Sequence, residues 1–238
     1  MSTNILNGFN LSGRIALVTG ASKGMGRCIA AILAQAGARV VISSRRQTDC
    51  ERVAAEISPE PGQCIGIASD IGNSETLKAL VATTRSQVGK PDILVCNAAG
   101  EAPVGSLQKV EATVFDEAMI SNVRNNLLLA NLVAPDMVAR RDGSIIVMSS
   151  IVGGRGRAGV GVYATTKAAV NQLVRTMAVE CGPFQVRTNG IAPTLPLPLG
   201  YPRRVGPRYR AGAHGPHRGS RRCRRPCPII GLARGGFH

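Results

Sequence analysis

Thr19-Gly20-Ala21-Ser22-Lys23-Gly24-Met25-Gly26 is the stretch on which the fold turns. An apolar run precedes it at 14–19 (RIALVT). A segment of helical period follows at 24–36, with Ile29, Ile32 and Leu33 on one face and Gly37 at its end. Glycines between a strand and a helix let the backbone turn sharply and approach a phosphate, and the helix start turns its positive end to the same point. The motif marks a dinucleotide site, with Gly20, Ser22, Lys23, Gly24, Met25 and Gly26 as candidate contacts.

The same alternation continues outward. Strands are expected at 39–43, 64–69, 93–96, 144–149 and 186–192. Helices are expected at 49–57, 74–88, 110–140 (with a break) and 161–181. Strands that are apolar throughout and alternate with helices imply a parallel sheet covered on both faces. The predicted fold is α/β: one doubly wound, mostly parallel Rossmann domain. No internal repeat is present.

Composition narrows the function classes. The chain has 238 residues, no Trp, three Tyr and four Phe, so its core must be aliphatic. No apolar run approaches the roughly 20 residues of a membrane helix, and the N-terminus has no targeting pattern. A cytoplasmic location is expected. Seven scattered cysteines fit reduced thiols rather than a disulfide framework. The net charge of +15 is concentrated in residues 199–238, which hold ten Arg and no Lys, Asp or Glu. The body, 1–198, carries 19 basic and 14 acidic residues, which argues against nucleic acid as its partner.

Four further motifs follow in order: Asn97-Ala98-Ala99-Gly100 after the fourth strand, Asn122 within the long helical segment, Ser149-Ser150 ending the fifth strand, and Tyr163-Ala-Thr-Thr-Lys167 opening the next helix. Tyr163 and Lys167 stand four apart, so both project from one helical face. A phenol of ordinary pKa near 10 is a reluctant acid–base group at neutral pH. The ammonium of Lys167 is expected to favour phenolate and draw that value down.

Gly-x-x-x-Gly-x-Gly, together with these motifs and the 13-residue step from Ser150 to Tyr163, resembles the short-chain dehydrogenase/reductase family over about residues 10–195. The body is similar to bacterial 3-oxoacyl and general carbonyl reductases. The resemblance implies an oxidoreductase moving hydride between a nicotinamide dinucleotide and a carbonyl or secondary alcohol. It implies that Tyr163 is the general acid/base and that Ser150 binds the substrate oxygen. Lys167 would bind the nicotinamide ribose, and Asn122 would hold a water linking Lys167 to solvent. Asp70 corresponds to an adenine-contacting Asp, or serves as a turn residue; Asn97, Ala98 and Gly100 belong to the cofactor side, Asn97 chiefly in holding that side of the sheet together. Homotetramer or dimer formation is implied as well.

Where an acid at the end of strand two would select NAD, this chain has Ser44, Arg45 and Arg46, with Lys23 nearby. These cations favour the 2′-phosphate of NADP(H), with NAD(H) as the lesser partner. After strand six the family pattern Pro-Gly is replaced by Pro193-Thr194, the last candidate cofactor contacts, and then Leu-Pro-Leu-Pro. Residues 199–238 match nothing in the family, and 26 of these 40 are Arg, Gly, Pro or Ala. A shifted reading frame through GC-rich DNA yields such a composition; a basic nucleic-acid-binding arm is the rival. The expectation is a disordered tail, a missing final strand, and either an active reductase or a truncated, weakly active relative that keeps cofactor binding. Cys223, Cys227, His214 and His217 lack the spacing of a zinc site, so no metal is expected.

Overall fold

Six parallel strands, in the order β3-β2-β1-β4-β5-β6, form the centre of the computed structural model, which describes residues 9–194. The strands are β1 (Ile15–Thr19), β2 (Arg39–Ser44), β3 (Cys64–Ala68), β4 (Ile93–Cys96), β5 (Gly143–Met148) and β6 (Val186–Ile191). The helices between them are α1 (Gly24–Gln35), α2 (Gln47–Ile57), α3 (Ser74–Gln87), α4 (Ala112–Met119), α5 (Asn125–Arg140) and α6 (Gly161–Cys181). The strand order reverses between β1 and β4, which leaves a crevice at their carboxyl ends, where ligands of such sheets bind.

Alternation along each strand divides the core into two layers. Leu17, Val41, Leu94, Cys96 and Ile145 pack under α3, α5 and α6 against Leu77, Leu80, Leu129, Val133 and Val170. Ala16, Val18, Val40, Ile42 and Val95 face the other way and meet α1 and α2 through Ala30, Ala34, Cys50 and Val53. In this second layer the fully buried residues of α1 are small, Ala30 and Ala34, with Ile29 and Leu33 packed at its edge. Of the three apolar residues expected on one face of α1, Ile29 and Leu33 pack against this layer and Ile32 does not. In α1 the buried face is Gly26, Ala30 and Ala34, while Ile32 is 52% exposed. Close packing selects the smallest side chains and turns the larger Ile32 outward.

The break expected within 110–140 is a π-helical turn, Ile120–Arg124, between α4 and α5. Such turns insert one extra residue and redirect the side chains that follow. At the opposite end of the sheet, Asp92 joins three elements: its carboxylate accepts from Ile15 N at 2.8 Å and pairs with Arg140 at 3.2 Å and Arg14 at 3.5 Å. Cys28, Cys50, Cys64, Cys96 and Cys181 are free thiols, and burial pushes Cys96 up to about 12. No helix among the described residues is long and apolar enough to cross a membrane. The described residues belong to one compact unit. The expectations for residues 199–238 lie outside the described residues.

Candidate active site

The glycine turn is fastened to the end of β4. Thr19 Oγ1 accepts from the backbone N–H of Asn97 and of Ala98, each at 3.1 Å. Asn97 Nδ2 donates to Thr19 O at 2.9 Å and to Gly20 O at 3.1 Å. Gly20 and Gly24 have φ of +64° and +56°, values that side chains resist. A Cβ on Gly26 would lie 2.4 Å from both Asn97 Nδ2 and Gly20 O, so only glycine fits. No side chain caps the start of α1, where Lys23 is the N-cap residue. The first N–H groups of that helix are therefore left for a ligand.

A groove of about 900 Å³ opens beside this turn. Gly20, Ser22 and Lys23 line it from β1, Ser44, Arg45 and Arg46 from β2, Asp70 from the end of β3, and Asn97, Ala98 and Gly100 from β4. Gly24, Met25 and Gly26 at the start of α1, Tyr163 and Lys167 of α6, and Pro193 and Thr194 after β6 are not among the lining residues. Pro193 O instead accepts weakly from Ile151 N at 3.4 Å. The Asp70 carboxylate accepts from Gly72 N at 2.8 Å within its own turn. Several groove residues were not singled out in the sequence, Thr19, Asp49 and Arg52 among them. Thr19 was read only as a strand end, and Asp49 and Arg52 lie on α2 behind the basic pair. The i,i+3 spacing of Asp49 from Arg46, and of Arg52 from Asp49, was the available signal.

The second group of candidates gathers where β5 meets α6. Ser150 lies two residues beyond the end of β5 and caps a short 3-10 turn, Ile151–Gly154. Tyr163 and Lys167 occupy the first two turns of α6. Lys167 is buried, donates from Nζ to Met148 O at 2.7 Å, and holds Nζ 5.5 Å from the centre of the Tyr163 ring. Burial lowers this lysine from 10.5 to about 8. Burial also raises the Tyr163 phenol, while a side-chain hydrogen bond with Ser150 pulls the other way. The direction differs from the expectation that Lys167 draws the phenol down. Here the desolvation of the phenol dominates, and the ammonium is turned toward the Met148 carbonyl.

Asn122 is fully buried in the π-helical turn. Its Oδ1 accepts from Gly100 N at 2.8 Å, and its main-chain carbonyl accepts from Asn126 Nδ2 at 2.8 Å. The Asn122 Nδ2 and Asn126 Oδ1 atoms are buried without partners in the structure. Asn122 thus ties the Asn97–Gly100 segment to the helix that runs beside α6.

Comparison with known proteins places this arrangement. A family model described as short chain dehydrogenase matches residues 14–196. The chain belongs to the short chain dehydrogenase family. Dehydrogenase/reductase SDR family member 4 of Homo sapiens is 37% identical over 185 residues, covering 78% of this chain and 66% of that protein. Tropinone reductase-like 3 of Erythroxylum coca is 33% identical over 186 residues, covering 78% and 71%. The chain spans about two thirds of the length of the curated relatives it matches first. Among solved family structures, a gluconate 5-dehydrogenase from Burkholderia cenocepacia in complex with NADP and tartrate has a TM-score of 0.73 at 31% identity, covering 79% of this chain and 73% of that one. A short-chain dehydrogenase from Streptomyces avermitilis has a TM-score of 0.72 at 30% identity, covering 77% and 66%.

Proposed function

We propose that the chain is an oxidoreductase that transfers hydride between NADP(H) and a small carbonyl or secondary-alcohol substrate, with Tyr163 as general acid and base. The observation that carries this reading is the convergence of Ser150, Tyr163 and Lys167 at the carboxyl ends of the strands, beside a glycine turn whose helix start is uncapped. The glycine turn fits a dinucleotide: it admits no Cβ at Gly26, and the start of α1 beside it has no side-chain cap. Gly20, Ser22, Lys23, Gly24 and Gly26 would hold the pyrophosphate, Asp70 and Ala98 the adenosine, and Ser44 with Arg45 and Arg46 the 2′-phosphate. Met25, Pro193 and Thr194 keep only a peripheral role in this assignment. The solved relative with NADP in its complex supports the same class of cofactor.

The bound nicotinamide would supply or accept the hydride at the substrate carbon. Tyr163 gives its proton to the carbonyl oxygen in reduction and takes it back in oxidation. Burial keeps this phenol protonated, which is the form that reduction consumes. Ser150 Oγ, hydrogen-bonded to Tyr163, donates to the same oxygen and stabilises the charge that develops on it. Lys167 binds ribose hydroxyls and keeps a cation under the phenol. Asn122 fixes the Gly100 backbone and supports the proton path from Lys167. Five free thiols among the described residues fit a reducing compartment such as the cytoplasm. Residues 1–198 form the catalytic domain in this reading, and the family's homotetramer or dimer is the assembly to be tested.

The experiment is NADPH-dependent reduction of a panel of ketones and aldehydes by the native chain and by Tyr163→Phe. The variant should lose about 10² to 10⁴ of the rate and keep cofactor binding, because the ring remains and only the proton donor is gone. Equilibrium titration should give NADPH about tenfold tighter than NADH. Near-native turnover by Tyr163→Phe would remove Tyr163 from its assigned role.

A further inference from the structure

Helix α2 carries an acid into the basic end of the groove. Asp49, in its first turn, accepts from Arg46 Nε at 2.6 Å and lies 3.8 Å from the Arg52 guanidinium. Arg52 also donates to Glu56 at 2.5 Å, and Glu56 binds Arg27 at 3.2 Å, so the charges form a continuous alternating row. The Asp49 side chain is 26% exposed and that of Arg46 79% exposed. The acid is the sheltered partner, and the cation is the one held in water. Asp49, Arg46 and Arg52 line the groove together with Ser44 and Arg45.

We propose that Asp49 is a specificity-determining residue that limits the preference for NADPH and gives NADH a foothold. The inference rests on the reading of this groove as a nicotinamide dinucleotide site. A 2′-phosphate carries between one and two negative charges, roughly −1.5 to −2 at neutral pH, by analogy with other phosphate monoesters. It meets a carboxylate already engaged with the guanidinium it needs, and like charges at this range repel. It binds fully only when Arg46 leaves Asp49. A ribose 2′-hydroxyl has a proton to donate and meets no such conflict; the Asp49 carboxylate offers it an acceptor. Asp49 therefore acts through Arg46 from the first turn of α2, five residues beyond Ser44, the strand-end position where an acid would select NAD outright, and its effect is correspondingly partial.

The test is equilibrium fluorescence titration of the full chain with NADPH and NADH, repeated calorimetrically with adenosine 2′,5′-bisphosphate and 5′-AMP. Asp49→Asn should tighten NADPH and the bisphosphate by up to about fivefold, the size of an exposed charge pair, and leave NADH and 5′-AMP unchanged or weaker. In an Arg46→Ala background the gain should shrink, because the two side chains act as a pair. Asp49→Ser keeps a polar group at the start of α2 and serves as the second variant if the amide destabilises the helix. If the native chain prefers NADPH and both variants leave it unchanged or weaken it, Asp49 merely orients Arg46 and the inference is overturned while the groove reading stands. If the native chain binds neither dinucleotide, the groove reading itself fails.

Discussion

At Tyr163 and Lys167 burial acts on opposite charges with one result: it favours the neutral form of each. Lys167 falls to about 8 from 10.5. The folded chain then releases this proton before the unfolded chain does. Between pH 8 and 10.5 the unfolded state holds more protons, so the contribution of Lys167 to stability rises with pH across that window and is lost again as pH falls through 8. Tyr163, raised above 10.0, acts the other way, and its contribution is lost only at higher pH. Lys167→Met removes the titrating amine and keeps most of the volume. In urea unfolding between pH 7.5 and about 10, native stability should gain on that of Lys167→Met as pH rises, by about 1.4 kcal/mol for each pH unit of full separation. A difference that stays flat would show that the amine is solvated in the folded chain. Resemblance to the family pointed to Tyr163, Lys167 and Ser150, but nothing in the sequence carried the sign of the phenol shift. That sign depends on how much protein surrounds the ring, which no local spacing reports.

Among the elements, the glycine turn and the π-helical turn show what local sequence does and does not carry. The turn's glycines are legible because positive φ and close backbone approach are local demands. Their consequences differ with the surroundings. A Cβ on Gly26 would strike Asn97 Nδ2 and Gly20 O, whereas one on Gly24 meets nothing within 4 Å. Gly24→Ala should cost about 1–2 kcal/mol for the left-handed conformation. Gly26→Ala should cost about 2–4 kcal/mol, because it also displaces Asn97 from Thr19 O and Gly20 O, and should weaken dinucleotide binding with it. Chemical denaturation of the two variants side by side checks the order; equal losses would mean that Asn97 gives way without cost. The break in the long helix was legible only as an interruption. Its form is set from outside the helix, by Gly100 N on Asn122 and by Asn125 Nδ2 on Ile71 O at 2.6 Å. In α1 the apolar stripe is only partly legible: Ile29 and Leu33 pack toward the sheet as their spacing suggests, while the centre of the buried face is Ala30 and Ala34 and Ile32 is exposed.

Over the whole molecule, a doubly wound parallel sheet follows from six apolar strands separated by helices, and the sequence carries that much. It does not carry contacts between distant residues. Asp92 joins β1 to α5 through Ile15 and Arg140, and Asp49 enters the groove from a helix whose pattern looks like ordinary solvated charge. On the α1–α2 side of the sheet, Arg187, Asn189 and Ile191 of β6 are exposed among the described residues, in contrast to the strands at the centre. The central claim is that this fold moves hydride with Tyr163 as the proton donor. Its most direct test follows the isotope. The chain is incubated with NADPH carrying deuterium at the transferred position of the nicotinamide, together with the carbonyl panel, and the alcohols are examined by mass spectrometry. Native protein should give an alcohol with one deuterium on the carbinol carbon, and Tyr163→Phe should give about 10² to 10⁴ less of it in the same time. Unlabelled alcohol, or equal labelled product from both proteins, would contradict the account.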